Sequence, residues 1–279
     1  MSKELIACTL YSLEQMEFGG KALPAKPQLE ERLGELVEGR RVPLVVFNCL
    51  EFSWRPAEKR GKYPQSIVSC KPEVAVCKYF GDEIGVVKLE LGELGTMPDL
   101  KVIVPDSELL DDRVFSFAQS RTERLDLAFN SREALATQLS GLNDPASPVI
   151  LWSDYCQQLG LKSPMEYTAE NFNKIEDDPK LQRKVKDQIK DSARYLERSG
   201  ISMEDVNLGE VYQRTAWYLA MYMGEGEALK DSRAICLNLE DGRVPAWFQR
   251  GAGGMLPIIT PVDPKDFYNW RSGMNVEQK

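Results

Sequence analysis

The chain of 279 residues is 43% hydrophobic and 28% charged, with a formal net charge of −8. This fits a globular protein with room for one large α/β domain. The acidic balance excludes a uniformly basic nucleic-acid binder, so any RNA contact must come from a local patch.

No histidine occurs. That rules out a Ser-His-Asp triad, a Cys-His pair and an H-E-x-x-H zinc site, and leaves chemistry to Cys, Ser, Tyr, Asp, Glu, Lys or Arg. No stretch approaches the roughly 18 consecutive apolar residues of a membrane span. Residues 1–12 lack the long apolar core and cleavage site of a signal peptide. The six cysteines (Cys8, Cys49, Cys70, Cys77, Cys156 and Cys236) form no C-x-x-C pair. Free thiols in a reducing, cytoplasmic setting are expected, rather than zinc.

Residues 4–13 read as a strand or an apolar arm, followed by a loop marked by Gly19, Gly20, Pro24 and Pro27. Leu29, Leu33 and Leu36 share one face of a helix over 28–38. The run VPLVVF over 42–47 predicts a strand buried on both sides. Ser69 and Pro72 open a helix. KVIV over 101–104 predicts a second buried strand, closed by Pro105-Asp106, with helix over 107–139 and a turn over 143–148. VILW over 149–152 predicts a third strand. Helices follow over 164–174, 178–199 and 206–224, then a fourth strand, AICLNL, over 234–239. A Gly-rich turn (Gly251, Gly253, Gly254) leads to a last short strand over 256–259. Short apolar strands alternating with amphipathic helices predict a mostly parallel sheet with helices on both faces. The expected organisation is an N-terminal arm over 1–30 and a single α/β domain over 31–275.

In such sheets ligands bind beyond the carboxyl ends of the strands. That rule points to the residues after Phe47, Asn48, Cys49 and Glu51 among them, to those after Val104, which include Asp106, and to those after Trp152 and after Leu239. A thiol at this edge is a strong nucleophile once a helix N-terminus or a cation lowers its pKa. Cys49 is either that nucleophile or a small buried hydrophobe at a strand end. Tyr218, Tyr222 and Glu225 recur at i, i+4, i+7 and share one helical face. Such a face either binds an amino group and passes protons without histidine, or fills a core with aromatic rings. The concentrated basic stretch is Lys180, Arg183, Lys184, Lys186, Lys190, Arg194 and Arg198. It is a phosphate-contacting surface or, with Asp187, Asp191 and Glu197 interleaved, a solvated helix face. Gly251-Ala252-Gly253-Gly254 lacks the setting of a nucleotide loop, and no Walker or K-M-S-K-S motif is present.

The order of these parts resembles that of the tRNA-dependent cyclodipeptide synthases, over about residues 42–240. Val45-Val46-Phe47-Asn48-Cys49 resembles the family's first strand and nucleophile loop, with Cys49 in place of the usual serine and Ser53 as the alternative. KVIVPD over 101–106 resembles its second strand and Pro-Asp turn, and Ile150-Leu151-Trp152-Ser153-Asp154 its third strand and exit. Tyr218-Leu219-Ala220-Met221-Tyr222 resembles its Tyr-x-x-x-Glu helix, with Tyr222 at the glutamate position and Glu225 one turn on. Residues 234–238 resemble the strand that follows.

The resemblance implies a Rossmann-like fold similar to a class I aminoacyl-tRNA synthetase catalytic domain. It implies aminoacyl-tRNA as the partner, no ATP, no metal and no other cofactor, and a covalent aminoacyl-enzyme. Cys49 or Ser53 becomes the nucleophile, Tyr218 and Glu225 hold the α-amino group, and Tyr222 relays a proton. Asn48, Glu51, Asp106, Trp152 and Glu227 become substrate-binding, and Lys180, Arg183, Lys184, Lys186, Lys190 and Arg194 tRNA-binding. Glu225 and Glu227 would favour a cationic aminoacyl group, as in the arginine-using fungal branch. Two other readings stand beside it. One is a different small-molecule enzyme on a similar sheet, similar to the isonitrile synthases and without bound RNA. The other is a non-catalytic binding protein with an unreactive Cys49.

Overall fold

A strand that is apolar at every position needs a neighbour on each edge and a layer on each face. Pro43–Phe47 (β1) has both, in a computed structural model that describes residues 2–16, 25–47, 54–55, 66–67, 85–96, 98–106, scattered positions between 122 and 137, 149–198, 208–237 and 243–260. Trp54–Arg55 (β2) and Ser66–Ile67 (β3) form a separate antiparallel pair. Asp99–Val104 (β4) runs parallel to β1 on one edge, and Val149–Leu151 (β5) lies beyond it. On the other edge lie Ile235–Leu237 (β6) and then Ile258–Ile259 (β7), also parallel. The sheet order is β5-β4-β1-β6-β7. The chain steps outward from β1 to β5, then returns to lay β6 on the opposite edge of β1. That reversal makes the carboxyl ends of β1 and β6 the topological switch point, the usual ligand crevice of such sheets.

Strand alternation divides the interior in two. Leu44, Val46, Ile235, Leu237 and Ile259 face one core, closed by Ser2–Met16 (α1), Lys26–Val37 (α2) and the helical residues 85–92. Val45, Ile103, Cys236 and Ile258 face the other. That side is covered by Trp152–Gln158 (α3), Pro164–Asp177 (α4), Pro179–Arg198 (α5), Leu208–Asp231 (α6) and Arg243–Gly251 (α7). The parallel sheet with helices on both faces is therefore as expected, and the fold is Rossmann-like.

Local chemistry sets several boundaries. α4 starts at a capping box: the Glu166 N–H donates to the Ser163 hydroxyl, and the Ser163 N–H donates to the Glu166 carboxylate at 2.8 Å, with Pro164 in the first turn. Residues 4–13 form part of a helix rather than a strand. Ile6, Leu10 and Leu13 recur at helical spacing, and Leu13 is fully buried against the α2 core. The third strand stops at Leu151, because Trp152 already belongs to α3. α6 runs on to Asp231 instead of ending near 224, since Gly224 and Gly226 are packing positions and not breaks. The helix expected at Ser69–Pro72 lies outside the described residues, and the one over 107–139 is described only in part, its described positions being helical. No described helix is long and apolar enough to cross a membrane.

Candidate functional site

Three neighbours share the surface of α6. At about 100° per residue, Met223 and Gly226 fall on one arc, Gly224 and Glu227 on a second, and Tyr218, Tyr222 and Glu225 on a third. The first arc meets α7 and the second meets α4. The third carries the expected polar face. The phenol oxygens of Tyr218 and Tyr222 are 2.5 Å apart, and their rings meet edge to face with centroids 4.8 Å apart. Phe248 of α7 packs against Tyr222 at 6.1 Å. Tyr222 is 9% exposed and Glu225 is 3% exposed.

Tyr222 shares a core with Val45 of β1 and Cys236 of β6, and Glu225 acts electrostatically on Cys236, so this side of α6 is turned toward the central strands. Glu225 is within electrostatic reach of two thiols. Burial, reinforced by Glu225, pushes the Cys236 thiol up to about 12. Burial, reinforced by Asp106 and Glu225, does the same for Cys156. Both thiols are therefore protonated packing groups and not nucleophiles.

The remaining expected residues separate into distinct places. Asp106, 1% exposed, follows β4 at the carboxyl edge. It accepts the Ser153 N–H at 3.0 Å and the Ser153 hydroxyl at 2.5 Å, so it caps α3. Burial pushes its carboxyl above the usual range, against the pull of those bonds. Trp152 is 1% exposed and stacks on Tyr155 with centroids 5.6 Å apart. Glu227 turns to α4, where it accepts from Lys174 Nζ at 2.8 Å and Asn171 Nδ2 at 3.0 Å. Burial raises its carboxyl, but these bonds and the charges of Lys174 and Lys230 prevail and hold it below the usual range. Glu227 thus sits away from the Tyr218–Tyr222 face.

On α5, Leu181, Val185 and Ile189 pack inward while Lys180, Arg183, Lys184, Lys186 and Lys190 are exposed. The acid among them is Asp187, which pairs with Lys190 at 3.3 Å. Asn48, Cys49, Glu51 and Ser53, and the side chain of Arg194, lie outside the described residues. Among the described residues no group of three or more acidic or thiol side chains could hold a metal ion.

Sequence reasoning missed α7. Its Phe248 borders the phenol pair, and its Gly251, read as a turn glycine, is a helix-packing position. The signal was present as Gly224-x-Gly226 on the helix itself.

The all-parallel order with its reversal between β1 and β6 defines a Rossmann-like α/β protein carrying a phenol–carboxylate face beside the central strands. No protein-family model matches the chain, and no curated protein matches it at a significant level.

Proposed function

We propose that the chain is an aminoacyltransferase resembling the tRNA-dependent cyclodipeptide synthases, joining two aminoacyl groups from aminoacyl-tRNAs in the cytoplasm. The observation that carries this reading is the hydrogen-bonded Tyr218–Tyr222 pair on the same helical face as buried Glu225, in a chain without histidine. An aminoacyl ester arrives already activated. Positioning then supplies much of the barrier reduction, and strong general-base help is not required.

In this scheme the Cys49 thiolate attacks the ester carbonyl of a first aminoacyl-tRNA. A thioester forms, the ester C–O bond breaks, and the terminal ribose hydroxyl leaves with a proton. Tyr218 and Glu225 hold the α-ammonium group. That amine, once deprotonated through Tyr222, attacks the ester of a second aminoacyl-tRNA to give a dipeptidyl thioester and free tRNA. The second amine then attacks the thioester carbonyl, closing a six-membered ring and releasing the thiol. Ser53 is the alternative nucleophile, with an ester in place of the thioester. The exposed cations of α5 supply a local basic surface for tRNA phosphates on an otherwise acidic protein.

The burial of Tyr222 within the aromatic core favours a second reading, in which this face only packs. Mass spectrometry of a culture expressing the soluble protein separates the two. A new cyclic dipeptide supports the transferase; its absence from a culture with abundant soluble protein refutes it.

A further inference from the structure

The two glycines flanking Glu225 do different jobs from those glycines usually do in helices. Neither ends α6, and both meet backbone from a neighbouring element. A Cβ on Gly226 would lie 2.1 Å from the Phe248 carbonyl oxygen of α7. A Cβ on Gly251 of α7 would lie 1.8 Å from the Met223 carbonyl oxygen of α6. The contact is reciprocal: each helix offers a carbonyl, and three residues on a glycine that receives the other's carbonyl. Two such points fix both the slide and the rotation of α7 along α6. On the opposite side, a Cβ on Gly224 would lie 3.0 Å from the Tyr167 Cβ and 3.2 Å from the Thr168 nitrogen of α4.

Glu225 therefore belongs to a turn of α6 that is gripped from two directions. Gly226 is also only about 40° around the helix from Tyr222. The same approach that needs a bare Cα at 226 brings the Phe248 ring onto Tyr222, whose phenol bonds Tyr218. We propose that Gly224, Gly226 and Gly251 are positioning residues: they clamp α6 between α4 and α7 and so set the rotation of the Tyr218–Tyr222–Glu225 face. The inference concerns how that face is held and stands whichever reaction it serves. Its link to catalysis rests on the transferase reading.

The test uses the full chain labelled with 13Cζ-tyrosine, with Tyr218 and Tyr222 assigned by single Tyr→Phe variants. In Gly226→Ala and Gly251→Ala, the Tyr218 and Tyr222 resonances should move by more than a linewidth. Those of Tyr155 and Tyr11 should stay. Gly224→Ala, which meets milder contacts, should move the pair less. Phe248→Leu leaves all three glycines intact and keeps the measurement decisive if the alanine variants do not fold; it should move Tyr222 first. Under the transferase reading, kcat falls roughly 10- to 100-fold in the folded variants while KM stays within about twofold. Folded glycine variants with unmoved Tyr218 and Tyr222 resonances overturn the clamp, as does an unmoved Tyr222 in Phe248→Leu. A protein that makes no cyclic dipeptide but shows the expected shifts overturns the transferase alone.

Discussion

Asp106 is a carboxylate that the fold buries and then uses, and replacing it separates those two effects. It holds the first turn of α3 through the N–H and hydroxyl of Ser153 at 3.0 and 2.5 Å. Asp106→Ala removes both bonds from a half-buried serine. At about 1 kcal/mol per bond, the expected loss is roughly 2 kcal/mol. Asp106→Asn keeps a carbonyl for the N–H but cannot ionise. The unfolded aspartate titrates near its ordinary 3.8, whereas burial, with a smaller contribution from Asp154, raises the folded value. Between those two values the folded chain binds more protons than the unfolded chain, so stability falls as pH rises. Below about 3.8 both states are protonated and no loss is felt. The stability of wild type minus that of Asp106→Asn should therefore decline with rising pH across that window, by about 1.4 kcal/mol for each pH unit the window spans. Urea unfolding followed by circular dichroism at stepped pH reads this difference, and the carboxylates common to both proteins cancel. A difference that is flat, or that grows with pH, refutes the claim that burial dominates at Asp106.

Three further outcomes follow from individual contacts. Arg233 has a left-handed backbone, φ 60°, and its guanidinium reaches Glu31 at 2.7 Å and the buried Glu35. Arg233→Gly should therefore be more stable than Arg233→Ala by about 0.5–1 kcal/mol, the steric relief less the added chain entropy; equal melting temperatures would contradict this. Tyr222→Phe should cost about 1 kcal/mol of stability and, under the proposed mechanism, lower kcat about 100-fold or more. A folded Tyr222→Phe with full activity removes the proton relay. Reversing Arg183, Lys184 and Lys186 to Glu together should leave the circular dichroism unchanged, because all three are exposed. It should flatten the plot of log affinity for tRNA against log salt by about 2, at 0.7–0.9 per lost phosphate contact; an unchanged slope excludes α5 from the tRNA surface.

What could be read from the residues depended on whether a local pattern had one structural solution. VPLVVF, KVIV and AICLNL are apolar at nearly every position over a length suited to strands, and each contains a strand of the parallel sheet or lies within one, with Ile235–Leu237 in the last. The stretch ELIACTLYSL over 4–13 is also apolar almost throughout, which hides its period, and only packing of Leu10 and Leu13 on α2 decides for helix. The spacing of Tyr218 and Tyr222 sufficed to pair them. The pairing of Glu227 with Glu225 as substrate groups ignored that two residues turn a helix by about 200°, which sends Glu227 to Lys174 and Asn171. Asp106 was located by the rule of carboxyl ends, but its bond to a serine 47 positions away is a tertiary fact. The role of Gly251 is likewise invisible until α7 meets Met223.

The depth of the phenol pair follows from the same geometry. α6 leads into β6 through a tight turn, with the Ala234 N–H donating to the Leu229 carbonyl, so its last turn lies near the start of that strand. A crossover helix runs back along the sheet, rising about 1.5 Å per residue against about 3.3 Å for a strand. From Asp231, Glu225 stands about 9 Å along this axis, roughly level with the end of the three-residue β6. Tyr222 lies one turn higher, and Tyr218 about 6 Å higher still, above the strands. Side chains on a helix lean toward its N-terminus, so the Glu225 carboxylate and both phenols lean toward the edge where the chain leaves β1 and β6. A ligand in the switch-point crevice would therefore meet Tyr218 first and Glu225 last.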